Sequence, residues 1–135
     1  MNIRAISSVL LVGTLAACST SDPLMRELDA SSHDPAVVSL PDVYGDEWTH
    51  FGRACPYMST ELIAQTLGIT DGTLPDYSRV DHLNALVRWN DDAVEYSEFP
   101  RTRIDLCGPE TLWDPDLERQ MLSFDRASNG GWRLR

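Results

Sequence analysis

Residues 82–99, HLNALVRWNDDAVEYSEF, decide the fold class. Apolar residues alternate with others along the first half, and the alternation returns after a polar turn at residues 90–92. This period of two, with its β-branched and aromatic residues, favours an antiparallel hairpin. The apolar positions that carry it are Leu83, Ala85, Val87, Trp89, Val94 and Tyr96. The alternative is a helix capped by Ser78 with Val80, Leu83, Asn84 and Val87 on one side.

The residues before the hairpin predict a helix over about 57–67. Ser59 or Thr60 can cap the first free amides, and Glu61 lies in the first turn, where it complements the helix dipole. Gly68 marks the end. One apolar face follows from the spacing of Leu62, Ile63, Thr66 and Leu67.

The remaining residues predict further short elements. An extended piece is expected over 101–106, and Asp114 followed by Pro115 predicts a short helix over 116–122. A strand over 120–126 is expected to pair with 132–135 across the Asn-Gly turn in 128–131. Together these elements predict a small α+β domain over residues 44–135, with one or two short helices packed on an antiparallel sheet.

The first 18 residues have the three parts of an export signal. Arg4 supplies a positive n-region, residues 5–15 are uncharged, and small residues precede Cys18. The apolar run is far shorter than the roughly 20 residues that span a bilayer. An ordinary secretory signal cut near Ala17 is one interpretation.

The sequence Leu15-Ala16-Ala17-Cys18 resembles the lipobox of bacterial lipoproteins. The resemblance implies that residues 1–17 are a signal peptide and that the Cys18 thiol carries diacylglycerol after cleavage. Two or three acyl chains hold a protein firmly in a membrane. We therefore expect an exported protein, anchored by lipid to the outer face of the cell membrane, or to the outer membrane if the cell has two.

Polar, proline-punctuated sequence follows the anchor. The apolar patch Ala36-Val37-Val38 is too short to form a core element alone. Residues 18–43 are therefore predicted to be a lipidated, flexible tether, with the folded domain beginning at Tyr44.

With Cys18 lipidated, Cys55 and Cys107 remain as an even pair. Export makes a structural disulfide the default interpretation. Its closed loop of about 52 residues corresponds to a stabilisation of about 4 kcal/mol. The alternative, a reactive or metal-binding thiol pair, lacks a second Cys or His at ligand spacing.

The charge of the chain limits its partners. The net charge is −10, from 21 acidic and 11 basic residues. Such a chain repels nucleic acid and anionic lipid, so we expect no nucleic-acid partner. An envelope protein or glycan remains as the expected partner, beside the membrane that holds Cys18.

No motif predicts catalysis. The sequence has no G-x-S-x-G elbow, no P-loop and no G-x-G-x-x-G. The histidines are scattered, so we predict no catalytic residue, no metal site and no cofactor. Four carboxylates within eight residues could offer oxygens to Ca²⁺, but a solvated turn and the outer face of an edge strand explain them as well: Asp91, Asp92, Glu95 and Glu98.

A looser resemblance covers about residues 44–135. The lipobox, a polar linker, Cys-Pro opening a helix that ends in Leu-Gly, strands and a second Cys are similar to a group of small actinobacterial lipoproteins with a paired-cysteine α+β domain. This resemblance implies no activity.

We therefore expect a membrane-anchored, non-catalytic binding or accessory module at the cell envelope. One alternative is an ion-dependent envelope enzyme that uses the carboxylates of residues 91–98. Another is a surface exclusion or inhibitor lipoprotein, which predicts an exposed apolar patch containing a tryptophan.

Overall fold

The computed structural model describes residues 21–108 and 120–135. In these ranges the chain forms three helices, α1 (Pro23–Ala30), α2 (Leu40–Tyr44) and α3 (Thr60–Leu67). It also forms seven strands, β1 (Ala36–Ser39), β2 (His50–Ala54), β3 (Leu83–Trp89), β4 (Val94–Pro100), β5 (Ile104–Asp105), β6 (Met121–Arg126) and β7 (Trp132–Leu134). The predicted small α+β domain is confirmed.

The predicted hairpin forms the centre of a three-stranded antiparallel sheet with the order β2-β3-β4. Residue 83 pairs with residue 100 and residue 89 with residue 94, so the turn lies at residues 90–93. The middle strand is buried on both faces, since Asn84, Ala85, Leu86 and Val87 are all inaccessible to solvent. The helical alternative for this stretch is wrong.

Helix α3 ends at the predicted residue 67, but it begins at Thr60, three residues after the predicted start, because Ser59 is its cap. The Ser59 hydroxyl accepts a hydrogen bond from the backbone N–H of Leu62, and Gly68 ends the helix in the left-handed conformation. Ile63 and Leu67 are buried. They pack against Ala85 and Val87, which lie on one face of the three-stranded sheet.

The second sheet has four strands in the order β1-β6-β7-β5. The β6–β7 hairpin turns through the predicted Asn-Gly pair, and Gly130 has a φ of 86°, which favours glycine. The short β5 pairs with β7 in parallel. Residues from β1, β6 and β7 form one core with Phe51, Leu86 and Phe99, so this core joins the two sheets.

The predicted tether is wrong for residues 22–43. Asp22 caps α1 through a hydrogen bond to the N–H of Leu24, and both Leu24 and Leu28 are fully buried in the core. The patch at 36–38 forms β1 because it pairs with β6, which supplies the partner that the isolated patch lacks. The folded domain therefore begins near residue 22 instead of residue 44.

The predicted helix over 116–122 falls largely outside the described residues. Within them, Met121 and Leu122 belong to β6, so a helix does not extend that far. The lipobox and Cys18 also lie outside the described ranges. In the part of the chain that the structure describes, no helix is long and apolar enough to span a bilayer.

Candidate functional site

Cys55 and Cys107 form the predicted disulfide, with their Cα atoms 5.8 Å apart. Cys55 directly follows β2, and Cys107 lies two residues after the end of β5. Both cysteines are half-buried. The pair therefore acts as a crosslink between the three-stranded sheet and the segment that leads out of β5.

A groove of about 460 Å³ opens at the turn end of the β3–β4 hairpin. Three parts of the chain form it: the start of β2, the loop that follows α3, and the hairpin turn itself. The lining residues are His50, Gly68, Ile69, Thr70, Asp71, Gly72, Trp89, Asn90, Asp91, Asp92, Ala93 and Val94. Turn hydrogen bonds fix the hairpin side, a close backbone approach fixes the loop after α3, and ring stacking fixes the start of β2.

Asn90 fixes the hairpin side of the groove. Its Oδ1 accepts hydrogen bonds from the backbone N–H groups of Asp92 and Ala93, both at 2.8 Å. Its Nδ2 donates to the carbonyl of Glu47 at 3.0 Å, which links the turn to the segment before β2. The backbone that carries Asp91 and Asp92 is thus held without the use of either carboxylate.

Gly72 fixes the loop on the opposite side. Its φ of 125° favours glycine, and a Cβ added there would collide with the side chain of Val94. The loop therefore approaches the first residue of β4 closely. This contact closes one end of the groove and places Asp71 beside the start of β4.

The aromatic wall of the groove is a stacked pair. The rings of His50 and Trp89 lie 5.3 Å apart with an interplanar angle of 12°. The Thr49 hydroxyl donates to the carbonyl of Trp89 at 3.3 Å and lies 2.9 Å from Nδ1 of His50. The hydroxyl therefore orients the His50 ring on Trp89.

The groove is acidic. Three of its lining residues carry carboxylates, Asp71, Asp91 and Asp92, all solvent-exposed, and the lining includes no lysine or arginine. Arg88 lies one residue from Trp89 but on the other face of β3, where its guanidinium stacks 4.4 Å above the Tyr44 ring. The arrangement favours neutral or cationic ligands and repels anions.

The structure separates the four carboxylates that the sequence groups together. Asp91 and Asp92 line the groove. Glu95 pairs with Nη2 of Arg88 at 3.0 Å, whereas Glu98 accepts a 2.7 Å hydrogen bond from the Tyr77 hydroxyl. Glu95 and Glu98 lie on opposite faces of β4 because they are three residues apart.

Burial and the hydrogen bond to Glu98 raise the pKa of the Tyr77 phenol above its ordinary range. Within residues 21–108 and 120–135, no group of three His, Cys, Asp or Glu side chains is placed to hold a metal ion.

The tryptophans differ in their exposure to solvent. Trp48 and Trp132 are buried, and Trp89 is half-buried in the groove wall. Trp113 lies outside the described ranges. The large apolar side chains exposed in the described part of the chain include no tryptophan and are Val37, Tyr57, Leu62 and Met121.

Sequence reasoning identified only part of this groove. It singled out Asp91, Asp92 and Trp89, but it assigned no role to His50 or Asp71. His50 pairs directly opposite Trp89 in the β2–β3 register, which is a contact across 39 residues of sequence. A polar residue at the outer end of a predicted strand is too weak a signal to find such a partner.

No family model, curated protein or solved structure matches this chain.

Proposed function

We propose that this protein is an exported lipoprotein, anchored through Cys18 to the outer face of the cell membrane, or of the outer membrane in a two-membrane cell. It acts there as a non-catalytic binding module. The observation that carries the proposal is the preformed groove between His50, Trp89 and the three aspartates, which offers an aromatic wall and unpaired acceptors to a ligand. The lipobox and the Cys55–Cys107 disulfide support export.

The folded start of the domain limits how far the groove can lie from a lipidated Cys18. Only residues 19–21 separate Cys18 from the capping residue Asp22, so that connection spans at most about 14 Å. A lipidated Cys18 therefore keeps the domain next to the membrane surface. The partner must be accessible at that short distance, as an envelope protein or glycan is.

Intact mass of membrane-extracted protein tests the anchor. We expect a chain that begins at Cys18 and carries acyl chains, and a Cys18→Ser variant that is neither lipidated nor retained in the membrane. Reduction should add the mass of two hydrogen atoms, one on each thiol of Cys55 and Cys107. A soluble, unlipidated wild-type chain would contradict the anchor.

In-cell photo-crosslinking tests the groove. A photo-reactive amino acid in place of Ala93, an exposed residue of the groove wall, should capture an envelope component. The matched control position is Ser128, which is exposed in the turn of the other sheet. Asp71→Asn/Asp91→Asn/Asp92→Asn should abolish the product at position 93. A product that is equal at both positions, or insensitive to these substitutions, would reject the groove as the binding site.

A further inference from the structure

Strand β4 is an edge of the three-stranded sheet, since β3 is its one neighbour in the described ranges. The hydrogen bonds at its two ends fix which of its amides face outward. The N–H of Asn90 donates to the carbonyl of Ala93, and the N–H of Arg101 donates to the carbonyl of His82. These two hydrogen-bonded pairs directly continue, at either end, the uninterrupted antiparallel register in which residue 83 pairs with 100 and residue 89 with 94.

Hydrogen-bonded and non-hydrogen-bonded pairs alternate along an antiparallel ladder. The backbone N–H and C=O groups of residues 95, 97 and 99 therefore point toward β3. Those of Val94, Tyr96 and Glu98 point away from it. These three residues offer a row of donors and acceptors to a further strand. The row begins at Val94, which also lines the groove.

The charge along this edge selects what can pair with it. Glu98 is exposed on one face of β4, the Glu95 side chain is 57% exposed on the other, and Asp91 and Asp92 lie at its start. Two copies of this edge would place like charges together, so self-pairing is disfavoured. A basic strand would meet opposite charges instead.

We propose that the partner of the groove is an extended, basic polypeptide segment. It adds as a fourth strand along β4 and places a lysine or arginine side chain in the acidic groove. Strand addition supplies affinity through the main chain, and the pockets for alternate side chains supply specificity. This inference rests on the proposed binding function and names its partner class.

The geometry supports both contacts at once. An added strand lies about 4.8 Å from β4, and its alternate side chains share a face with Val94, Tyr96 and Glu98. A basic side chain opposite Val94 is then beside Asp71, Asp91 and Asp92. A second one, four residues along the added strand, is beside the Glu98 carboxylate, which keeps acceptor capacity after its one bond to Tyr77.

The test uses the purified full-length chain and the peptide acetyl-Lys-Val-Thr-Val-Lys-amide, followed by amide NMR. We expect shifts and slowed hydrogen exchange at the amides of Val94, Tyr96 and Glu98, and little change in exchange at Glu95 and Ser97, which already face β3. The same peptide with glutamate in place of both lysines should not bind. Equal binding of the two peptides would reject charge selection.

Backbone methylation separates strand addition from simple ion pairing. When the peptide pairs antiparallel to β4 with its threonine opposite Tyr96, the threonine N–H faces β4 and the valine N–H groups face solvent. N-methylation of the threonine should therefore weaken binding at least tenfold, and N-methylation of a valine should not; parallel addition would exchange the two results. Equal binding of both methylated peptides would overturn strand addition and leave a site for cationic side chains alone.

Charge variants give a further test, with a control that removes two exposed charges elsewhere on the domain. Asp91→Asn/Asp92→Asn/Glu98→Gln should weaken peptide binding about tenfold, since each exposed pair contributes a few-fold. Glu27→Gln/Asp42→Asn, at exposed sites on α1 and α2, should leave it within about twofold. Absence of peptide binding at millimolar concentration would overturn this inference. A product at position 93 in the crosslinking experiment would then still support the groove as a binding site for another ligand.

Discussion

The hydroxyl of Tyr44 donates a 2.7 Å hydrogen bond to Oδ1 of Asp22, the same atom that accepts the N–H of Leu24. The first contact joins the last residue of α2 to the cap of α1, and the second caps the helix itself. A carboxylate at the beginning of the folded chain is thus fixed by an aromatic residue 22 positions later. This relationship makes residues 22–44 a closed unit instead of a linker.

Leu28→Ala tests whether this unit is part of the domain. Leu28 is fully buried in the core that joins the two sheets, so we expect the free energy of unfolding to fall by about 2–5 kcal/mol. Glu27→Ala, at the exposed neighbouring position, should change it by less than about 0.5 kcal/mol. Urea unfolding of the two variants provides the measurement. Equal stability of both would return residues 22–43 to the tether interpretation.

The sequence predictions succeeded for elements with local signals and failed for elements that depend on a partner distant in the sequence. Helix α3 and the β3–β4 hairpin carry their own caps, turn and periodicity, so they were predictable. Strand β1 has four residues and depends on pairing with β6, in a register that joins Val38 to Leu122. Helix α1 buries just Leu24 and Leu28 among its residues. The sequence of neither segment can be distinguished from that of a polar linker until its distant partner is known.

The same reasoning applies to the groove. Its hairpin side was visible as a polar turn beside Trp89, since turn residues and strand alternation are local features. The opposite side depends on the close approach of Gly72 to Val94, which only the packing of α3 on the sheet establishes. Sequence reasoning therefore identified Asp91 and Asp92, but neither Asp71 nor the opening that the three residues line.

Asn84 predicts a large loss of stability from a small change. Its buried side chain donates to the carbonyls of Phe99 and Ile104, both at 3.0 Å, and accepts from the N–H of Leu106 at 2.7 Å. Asn84→Ala leaves three backbone groups without this partner. The Phe99 carbonyl still faces β3 in the ladder, so the groups that depend on this side chain are the carbonyl of Ile104 and the N–H of Leu106. Because each buried group left unsatisfied costs about 1–3 kcal/mol, we expect a loss of at least about 2 kcal/mol.

Chemical denaturation measures the effect of Asn84→Ala. Asn90→Ala is a useful comparison, because Asn90 also makes three hydrogen bonds but lies in an exposed turn where water can replace them. A smaller loss is therefore expected for Asn90→Ala. If the two substitutions were equally mild, Asn84 would not be the link between β3, β4 and β5.

Reduction of the Cys55–Cys107 bond should lower stability by about 4 kcal/mol, because it releases a loop that spans a sequence separation of 52. The midpoint of urea unfolding, with and without reductant, measures this loss. The Cys55→Ala/Cys107→Ala variant should match the reduced wild type and be insensitive to reductant. An unchanged midpoint on reduction would show that the loop is held by other contacts.

Alkaline pH should destabilise the fold through Tyr44 and Tyr77. Burial, followed by the hydrogen bond to Asp22 for Tyr44 and to Glu98 for Tyr77, raises the pKa of each phenol above its ordinary value of 10.0. Below that pH both the folded and the unfolded chain hold these protons, so their contribution to stability is complete. Above it the unfolded chain releases protons that the folded chain retains. The free energy of unfolding then falls by at most about 1.4 kcal/mol per pH unit for each tyrosine.

Urea unfolding between pH 8 and pH 11 measures this slope, and absorbance at 295 nm reports the phenolates directly. The Tyr44→Phe/Tyr77→Phe variant retains both rings but has no proton to lose at these positions, so its stability should fall less steeply above pH 10. The difference between the two proteins in the slope of unfolding free energy against pH is the contribution of the two phenols, since every other titrating group is shared. Identical slopes would mean that the folded chain does not retain these two phenol protons above pH 10.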